Sequence, residues 1–580
     1  MAHSHLFHPV VLACLGAYAL TSTSVLAQQR PDSGTTQQQA DRPKLVLPEL
    51  GAPNVTTTVV KRAFVGGDIK VVPSGFRFIG NTLVPDAELQ ATVAGLIGKE
   101  IDFNGLADAA ASLRQVYASK GYVLTDVYFP EQQFNAAGGI VEFTVIEARM
   151  GTVTVNVAAG SGVSQAFATA LAQTYLVPGV PLSQYMLDKP VLLLRDMAGT
   201  DAEATVVPGT NPGEANVEIL VTPRGARFEP YVSVDNMGAR SSGEYRFAAG
   251  VTINAPFGMG DRFVARVQAA DQSGNPLYRL SYGLALGSFG TKVTASYTEN
   301  EYVLGKQFAT LLASGSAKVT ALSAVHPLVR GRFTNLFVTG ILEHKKLADD
   351  VAFFIPAVRS QKRVVIGRVG VLGNHSDLTL GGGSTSFSAT ASAGRLRLDA
   401  TSSDSDAGVN GAHTAGGFSK VNIELQRVQY LSLRSSVLLN VTGQLASKNL
   451  TSAEKLNLGG PNGVRGYPIG EGVGDEGVLA SLEYRYQTNF KLAGEALSVT
   501  AFYDVGSIRR DRVRNDTTLK GSLGNANSLT LDSVGLGVLL GREGNYLLTG
   551  ALATRVGGPL PKTGDPDSRA RLWFLLQKWF

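Results

Sequence analysis

The stretch Leu458-Gly459-Gly460-Pro461-Asn462-Gly463-Val464-Arg465-Gly466-Tyr467 sets one guanidinium among four glycines. A run this rich in glycine can fold back on itself. Its arginine carries a planar fork of donors that a carboxylate accepts bidentately. Two acids downstream, Glu483 and Asp504, lie on the polar side of alternating stretches and suit that role. A carboxylate facing a poorly hydrated interior without a cation costs on the order of several kcal/mol, so a partner is expected. A solvated surface arginine is the alternative reading of Arg465.

Other chemistries find little support. Gly472-Val473-Gly474-Asp475-Glu476-Gly477 fits the G-x-G-x-x-G pattern, but it leads into a strand and offers a pyrophosphate no helix N-terminus. The sequence has no Walker A run, no G-x-S-x-G and no H-E-x-x-H. The acid pairs Asp349-Asp350 and Asp475-Glu476 read as solvated loop charges. Cys14 is the only cysteine and falls in an N-terminal apolar segment, so the mature chain has no thiol chemistry. No catalytic residue, metal or cofactor is expected, and the chain does not read as an enzyme.

From about residue 226 the pattern that must position Arg465, Glu483 and Asp504 has a period of two. Tyr245, Phe247, Ala249, Val251 and Ile253 alternate with more polar neighbours. Leu336, Val338 and Leu342 oppose Asn335, Thr339 and Glu343. Leu497, Val499, Ala501, Tyr503 and Val505 oppose Ser498, Thr500, Phe502 and Asp504. Runs of about ten residues with one apolar side separate lipid from lumen in a transmembrane barrel. A soluble sandwich shows the same alternation in any one strand. Repetition to residue 580, through Gly- and Ser-rich connections and about sixteen strands, favours the barrel. The last ten residues set Leu572, Phe574 and Leu576 on one strand face and end on Phe580. His326, His344, His375 and His413 are isolated from one another and are expected in loops or the lumen.

Composition points the same way. Only 17% of the 580 residues are charged, 66 are glycine and the formal net charge is +5; soluble domains average about 25% charged residues. Beyond the first thirty residues no apolar run reaches the length of a membrane helix, which leaves a closed β-barrel as the way to span a bilayer. The small basic excess argues against a nucleic-acid binder. Residues 1–27 read as an export signal, with an apolar segment before Val25-Leu26-Ala27. Residues 28–61 lack a hydrophobic period and read as a polar linker or plug segment, in which Pro31, Pro43, Pro48 and Pro53 oppose a long helix. Residues 62–148 and 149–224 read as two copies of a β-α-α-β-β module of about 75 residues. Helices are expected over 104–120, where Leu106, Ala109, Ala110, Leu113, Val116 and Tyr117 keep helical spacing, and over 164–175. The barrel occupies residues 225–580.

Several of these motifs resemble one family. Phe78-Ile79-Gly80-Asn81-Thr82, Gly121-Tyr122 and Pro130-Glu131-Gln132 look like the first POTRA domain of the outer-membrane transporters of two-partner secretion, the TpsB or hemolysin secretion/activation family of the Omp85 superfamily. Pro181-Leu182, Leu187-Asp188-Lys189 and Pro208-Gly209 look like its second POTRA domain. Asp235-Asn236-Met237-Gly238 resembles the signature after barrel strand one. The run from Leu458 to Tyr467 resembles the motif of the long sixth extracellular loop, and Phe502-Tyr503-Asp504-Val505-Gly506 resembles its companion strand motif.

The resemblance covers about residues 60–580. It implies a membrane β-barrel of about 16 antiparallel strands preceded by two periplasmic α+β modules. The implied function is a bacterial outer-membrane pore that exports a partner exoprotein without nucleotide hydrolysis. The partner would be captured through its N-terminal secretion domain. The resemblance also implies a transport-loop motif of Arg465, Gly466 and Tyr467, with Arg465 pairing with the Asp504 face and Glu483 as a second lumenal carboxylate. Phe574, Leu576 and Phe580 would form the insertion signal read by the barrel-assembly machinery. Outer-membrane lipid is a further implied partner; nucleic acid is not. The alternative is an Omp85-type assembly factor that inserts other barrels or handles lipid, which more than two modules would favour. A passive porin needs no periplasmic modules.

Overall fold

The computed structural model describes residues 30–40, 47–48, 50–58, 70–132, 139–272, 276–408, 411–513, 527–563 and 568–580. The export signal with Cys14, and residues 62–69 at the start of the first module, lie outside the described residues.

The described chain begins with helix α1 (Ser33–Ala40) and strand β1 (Asn54–Thr57). The first module follows as β2 (Lys70–Val71), β3 (Pro73–Ile79), α2 (Asp86–Val93), β4 (Ile101–Asp102), α3 (Phe103–Ser119), β5 (Asp126–Tyr128) and β6 (Gly139–Ile146). Helix α3 starts where the Asp102 carboxylate accepts from Gly105 N at 2.8 Å, and it buries Leu106, Ala109, Ala110, Leu113 and Tyr117. Those side chains pack on Val127, Val141 and Phe143 of the sheet β3-β6-β5.

The second module repeats the order with β7 (Arg149–Val157), α4 (Gln165–Tyr175), α5 (Gln184–Arg195), β8 (Thr200–Pro208) and β9 (Glu214–Pro223). Ser164 and Ser183 cap its helices through Phe167 N and Met186 N. Its sheet runs β1-β8-β9-β7, so residues 54–57 of the polar N-terminal segment pair in parallel with β8. Within the segment read as a polar linker or plug, 33–40 is helix and 54–57 is strand.

The remaining chain forms the barrel. Its first strands are β10 (Phe228–Asp235), β11 (Arg246–Asn254), β12 (Arg262–Ala270), β13 (Leu277–Leu286) and β14 (Thr291–Val303). Next come β15 (Ala313–Arg330), β16 (Thr334–Val351), β17 (Val358–Asp377), β18 (Gly383–Leu398), β19 (Gly416–Tyr430) and β20 (Ser435–Ala446), with a short helix α6 (Ala400–Ala407) between β18 and β19. The loop after β20 holds a small ribbon, β21 (Leu456–Asn457) with β22 (Val473–Gly474). Strands β23 (Glu476–Leu492), β24 (Glu495–Arg509), β25 (Ser528–Arg542), β26 (Tyr546–Arg555) and β27 (Ala570–Trp579) complete the set.

Apart from the ribbon these are sixteen strands in sequential order, and β27 closes the barrel on β10. Closure satisfies every strand edge within a bilayer that offers no hydrogen bonds. The closing seam pairs only Tyr231–Asp235 with Leu575–Trp579. Beyond it Asn236 bridges the two strands, donating to Leu572 O at 2.7 Å and accepting from Phe574 N at 2.8 Å.

Alternation decides what faces the lumen. On β16 Leu342 is 65% exposed on the outer wall, whereas Lys345, three residues on, is buried inside. Strands β15, β16 and β17 run to 18–20 residues, longer than the bilayer needs, and so project beyond it on the side away from the modules. His326, His344 and His375 sit on the outer faces of β15, β16 and β17 rather than in loops or the lumen; only His413 is in a loop. Alternation places them there, since each lies an even number of residues from an outward leucine or valine.

Candidate functional site: the sixth loop inside the barrel

Loop 6, residues 447–475, leaves β20 on the side away from the modules and folds down into the lumen. Its tip brings together the three charged residues that the sequence singled out. Arg465 Nε and Nη2 donate to the two Asp504 oxygens at 2.8 and 2.7 Å, and its backbone N adds a bond to Oδ2 at 3.1 Å. Arg465 Nη1 reaches Glu483 Oε2 at 3.0 Å. The two acids come from adjacent strands, with Ser481 facing Asp504 and Glu483 facing Phe502 in the β23–β24 register.

Asp504 is fully buried, so this pair is screened far less than a surface pair. It also accepts from Ser481 Oγ at 2.7 Å and Ser533 Oγ at 3.3 Å. The guanidinium carbon lies 3.2 Å from the centre of the Phe502 ring, against its face. Trp573 Nε1 donates to Arg465 O at 2.8 Å from the last strand.

Neighbouring residues fit the tip to the wall. The buried Tyr467 donates its hydroxyl to Gly557 O at 2.9 Å. A Cβ on Gly466 would stand 2.7 Å from Ser533 Cβ and 3.1 Å from Arg555 N, so the position has no room for a side chain. Val464 and Leu458 pack with Ile508, Leu529 and Leu531 of β24 and β25. Ser533 and Trp573 were not foreseen as members of the site, and Phe502 had entered only as the first residue of the companion strand motif. Their inward positions in the alternation were readable; the height at which the loop meets them was not.

A second anchor holds the near end of the loop. Glu454 is buried and meets Lys345 and Lys420 at 2.9 Å and Arg368 at 3.3 Å, from β16, β19 and β17. Glu343 joins the cluster through Arg368 at 2.6 Å. Nothing local in the sequence marks Glu454, because its cations lie on three separate strands.

Helix α1 rests on this end of the loop, inside the lumen. Ser33 N donates to Asp349 Oδ1 at 2.7 Å, Lys362 pairs with Asp32 at 2.7 Å, and Ser452 Oγ donates to Asp32 Oδ2 at 2.7 Å. Asn457 and Gln38 join the helix to the ribbon at 2.8 Å. Farther along the sequence, Asn374 donates to Pro48 O at 3.1 Å, and Gly51 N donates to Arg332 O at the module end. A cavity of about 1550 Å³ remains beside it, lined by Arg266, Arg279, Glu424 and Arg485 among others.

Two expectations about charge are corrected here. Asp349 is no loop acid: it lies on β16, faces inward, is buried, and also accepts from Tyr302 at 2.7 Å. Asp475 is fully buried and accepts from Leu450 N at 2.9 Å and Arg512 N at 2.8 Å. Both acids are drawn inside because loop 6 and α1 fill the lumen against them. On the last strand, Phe574 and Leu576 lie on the outer face with Leu572, and Phe580 N donates to Pro230 O at 3.0 Å.

A closed sixteen-strand barrel, two αβ modules at one end and a long loop pinned inside by an arginine–aspartate pair define an outer-membrane transporter of the Omp85 type. The chain belongs to the family described as haemolysin secretion/activation protein ShlB/FhaC/HecB, which matches residues 213–531, and the ShlB-type POTRA domain matches residues 71–148. The heme/hemopexin transporter protein HuxB of Haemophilus influenzae (strain 86-028NP) is 25% identical and the match covers 99% of each chain. The outer membrane transporter CdiB of Escherichia coli is 23% identical over 80% of this chain and 78% of its own. In fold, the structure of CdiB from Escherichia coli matches with a TM-score of 0.68 across 100% of both chains at 18% identity. The protein is a two-partner secretion transporter of the bacterial outer membrane, its modules lie in the periplasm, and it exports a partner exoprotein.

Proposed function

We propose that export proceeds by capture in the periplasmic modules followed by passage through the lumen, with the Arg465 clamp fixing the loop that shapes the path. The observation that carries this reading is the site of the clamp: a fork-shaped donor set on a buried aspartate, inside the conduit itself. The client is an exoprotein presenting an unfolded N-terminal secretion domain. Sheet edges accept such a chain through main-chain bonds. The β8 edge is already filled by β1, and β7 is covered by residues 179–182 and Gln165, so an incoming strand adds at the outer strands β3 or β5 of the first module or replaces β1.

No nucleotide, metal or other cofactor takes part, and no residue acts as a catalyst; folding of the released chain outside the cell drives net transport. Phe574, Leu576 and Phe580 serve earlier, as the outward strand signal that the barrel-assembly machinery reads. The test is the set of proteins released into the medium by cells with and without the transporter. One large exoprotein should vanish from the medium of the deletion strain and return on complementation. An unchanged medium, with other barrels depleted from the outer membrane, would favour the assembly-factor alternative.

A further inference from the structure

The outer wall carries a row of cations that the export path does not use. In the registers of β15 to β18, Lys318 stands directly opposite Lys346, Lys346 opposite Arg363, and Arg363 opposite Arg397. All four are exposed, and the residues that flank them along β16, β17 and β18, such as Lys345, Val364 and Leu396, are buried on the lumen side. Arg395, two residues from Arg397, extends the group. Like charges placed directly across a sheet repel and weaken it, yet three consecutive pairs occur here.

Carboxylates relieve the row at one end only. Lys318 pairs with Glu299 at 2.7 Å at one end. Further out on the same wall Arg359 has Asp350 at 3.1 Å, and on the opposite side Arg509 has Glu476 at 3.8 Å. Among the described residues no carboxylate pairs with Lys346, Arg363, Arg395 or Arg397. Three of these cations are arginines, whose planar forks fit phosphate bidentately.

Height on the wall decides which phosphate. Strand β16 starts beside the periplasmic module and runs away from it, so Lys346 lies near the extracellular end. Just below the row the outer face turns apolar: Leu342 is 65% exposed, and Val365 and Val369 are exposed beside it. The row therefore sits at the upper margin of the hydrocarbon layer. There the outer leaflet of a bacterial outer membrane presents glycolipid whose disaccharide headgroup carries phosphates. Four strands place the cations across a span on the order of 14 Å, a headgroup's width.

We infer that Lys346, Arg363, Arg395 and Arg397, with Lys318 at the margin, form a binding site for the phosphorylated headgroup of an outer-leaflet glycolipid. The acyl chains lie along Leu342, Val365 and Val369, and the phosphates replace the missing carboxylates.

The experiment uses the full-length transporter in detergent, titrated with bisphosphorylated lipid A and read by native mass spectrometry. Wild type should bind lipid A, and K346Q/R363Q/R397Q should bind it at least tenfold more weakly, with R363Q alone intermediate. Heat-modifiable migration on a gel verifies that each variant is folded. R359Q, whose arginine already has a carboxylate, should bind as wild type does. Lipid A stripped of its phosphates should bind poorly to every form, and inorganic phosphate should fail to compete. Equal affinity of wild type and the triple variant would overturn the assignment. So would equal binding of the dephosphorylated lipid, or full competition by inorganic phosphate, which would make the row a site for free anions.

Discussion

The Arg465 guanidinium makes four hydrogen bonds and lies on an aromatic face, its backbone N adds a fifth bond, and the carboxylate beneath it is fully buried. Taking away one member of such a buried pair costs about 3–5 kcal/mol, because the other charge is left without compensation. The barrel's ladder does not depend on that pair. Arg465→Ala should therefore reach the outer membrane at normal abundance and lose most secretion, measured as exoprotein in the medium per transporter. Arg465→Lys keeps the charge without the fork and should fall between. Gly466→Ala tests the same docking by shape, since its methyl would stand 2.7 Å from Ser533 Cβ; it too should secrete poorly while inserting normally. Asp504 and Glu483 could be read from alternation because both lie on the polar side of long, regular strands. Asp349 and Asp475 could not. Short-range pattern made them loop charges, and only α1 and loop 6 inside the lumen bury them.

The element most poorly legible in the sequence is α1. Its composition is Ser, Gly, Thr, Gln and Ala, with no apolar face, so periodicity has nothing to report. The helix is held through Ser33 N, Gln38 and the Asp32 just before it, which meet Asp349, Asn457, Lys362 and Ser452 inside the lumen, partners hundreds of residues away. The prolines do limit its length: it starts just after Pro31 and has eight residues. The strands were legible for the opposite reason, since each repeats one apolar and one polar face whatever lies beyond it. Gly34 lets α1 lie against loop 6, where a Cβ would come within 2.5 Å of Ser452 Oγ and 2.7 Å of Ala453 N. Gly34→Leu should force the helix off its seat. In planar bilayers the variant should show a several-fold higher conductance than wild type; an unchanged conductance would mean that α1 does not obstruct the pore.

Across the whole molecule, the second module is joined to the barrel by charge as well as by chain. The end of β15 and the turn into β16 project Arg330 and Arg332 at helix α5 and its C-terminal Asp196. Arg330 Nε and Nη2 meet the Asp196 oxygens at 2.8 and 2.9 Å, and Arg332 grips Asp188 with both oxygens engaged. Arg330 and Asp188 are both buried at this junction. The motif Leu187-Asp188-Lys189 was visible in the sequence as a family resemblance, but its partner on a barrel turn 144 residues away was not. Residues 225–580 alone lose these carboxylates, yet both arginines then gain water, so that fragment should still insert and migrate heat-modifiably.

The opposite change is more severe. Asp188→Asn with Asp196→Asn leaves two guanidinium groups enclosed by a docked helix without their counter-charges. Undocking is then the cheaper state, because it rehydrates the arginines while the module keeps its own core of Leu171, Leu187 and Val191. Amide hydrogen exchange should rise at 331–333 and along α5, while the strands of the barrel and of module 2 stay protected. Secretion should fall, since a client captured by a swinging module no longer meets the lumen in one orientation. If exchange at α5 stays at the wild-type level in the double variant, the ion pairs do not hold the junction, and backbone contacts such as Gly260 N to Gly162 O at 2.7 Å carry it instead.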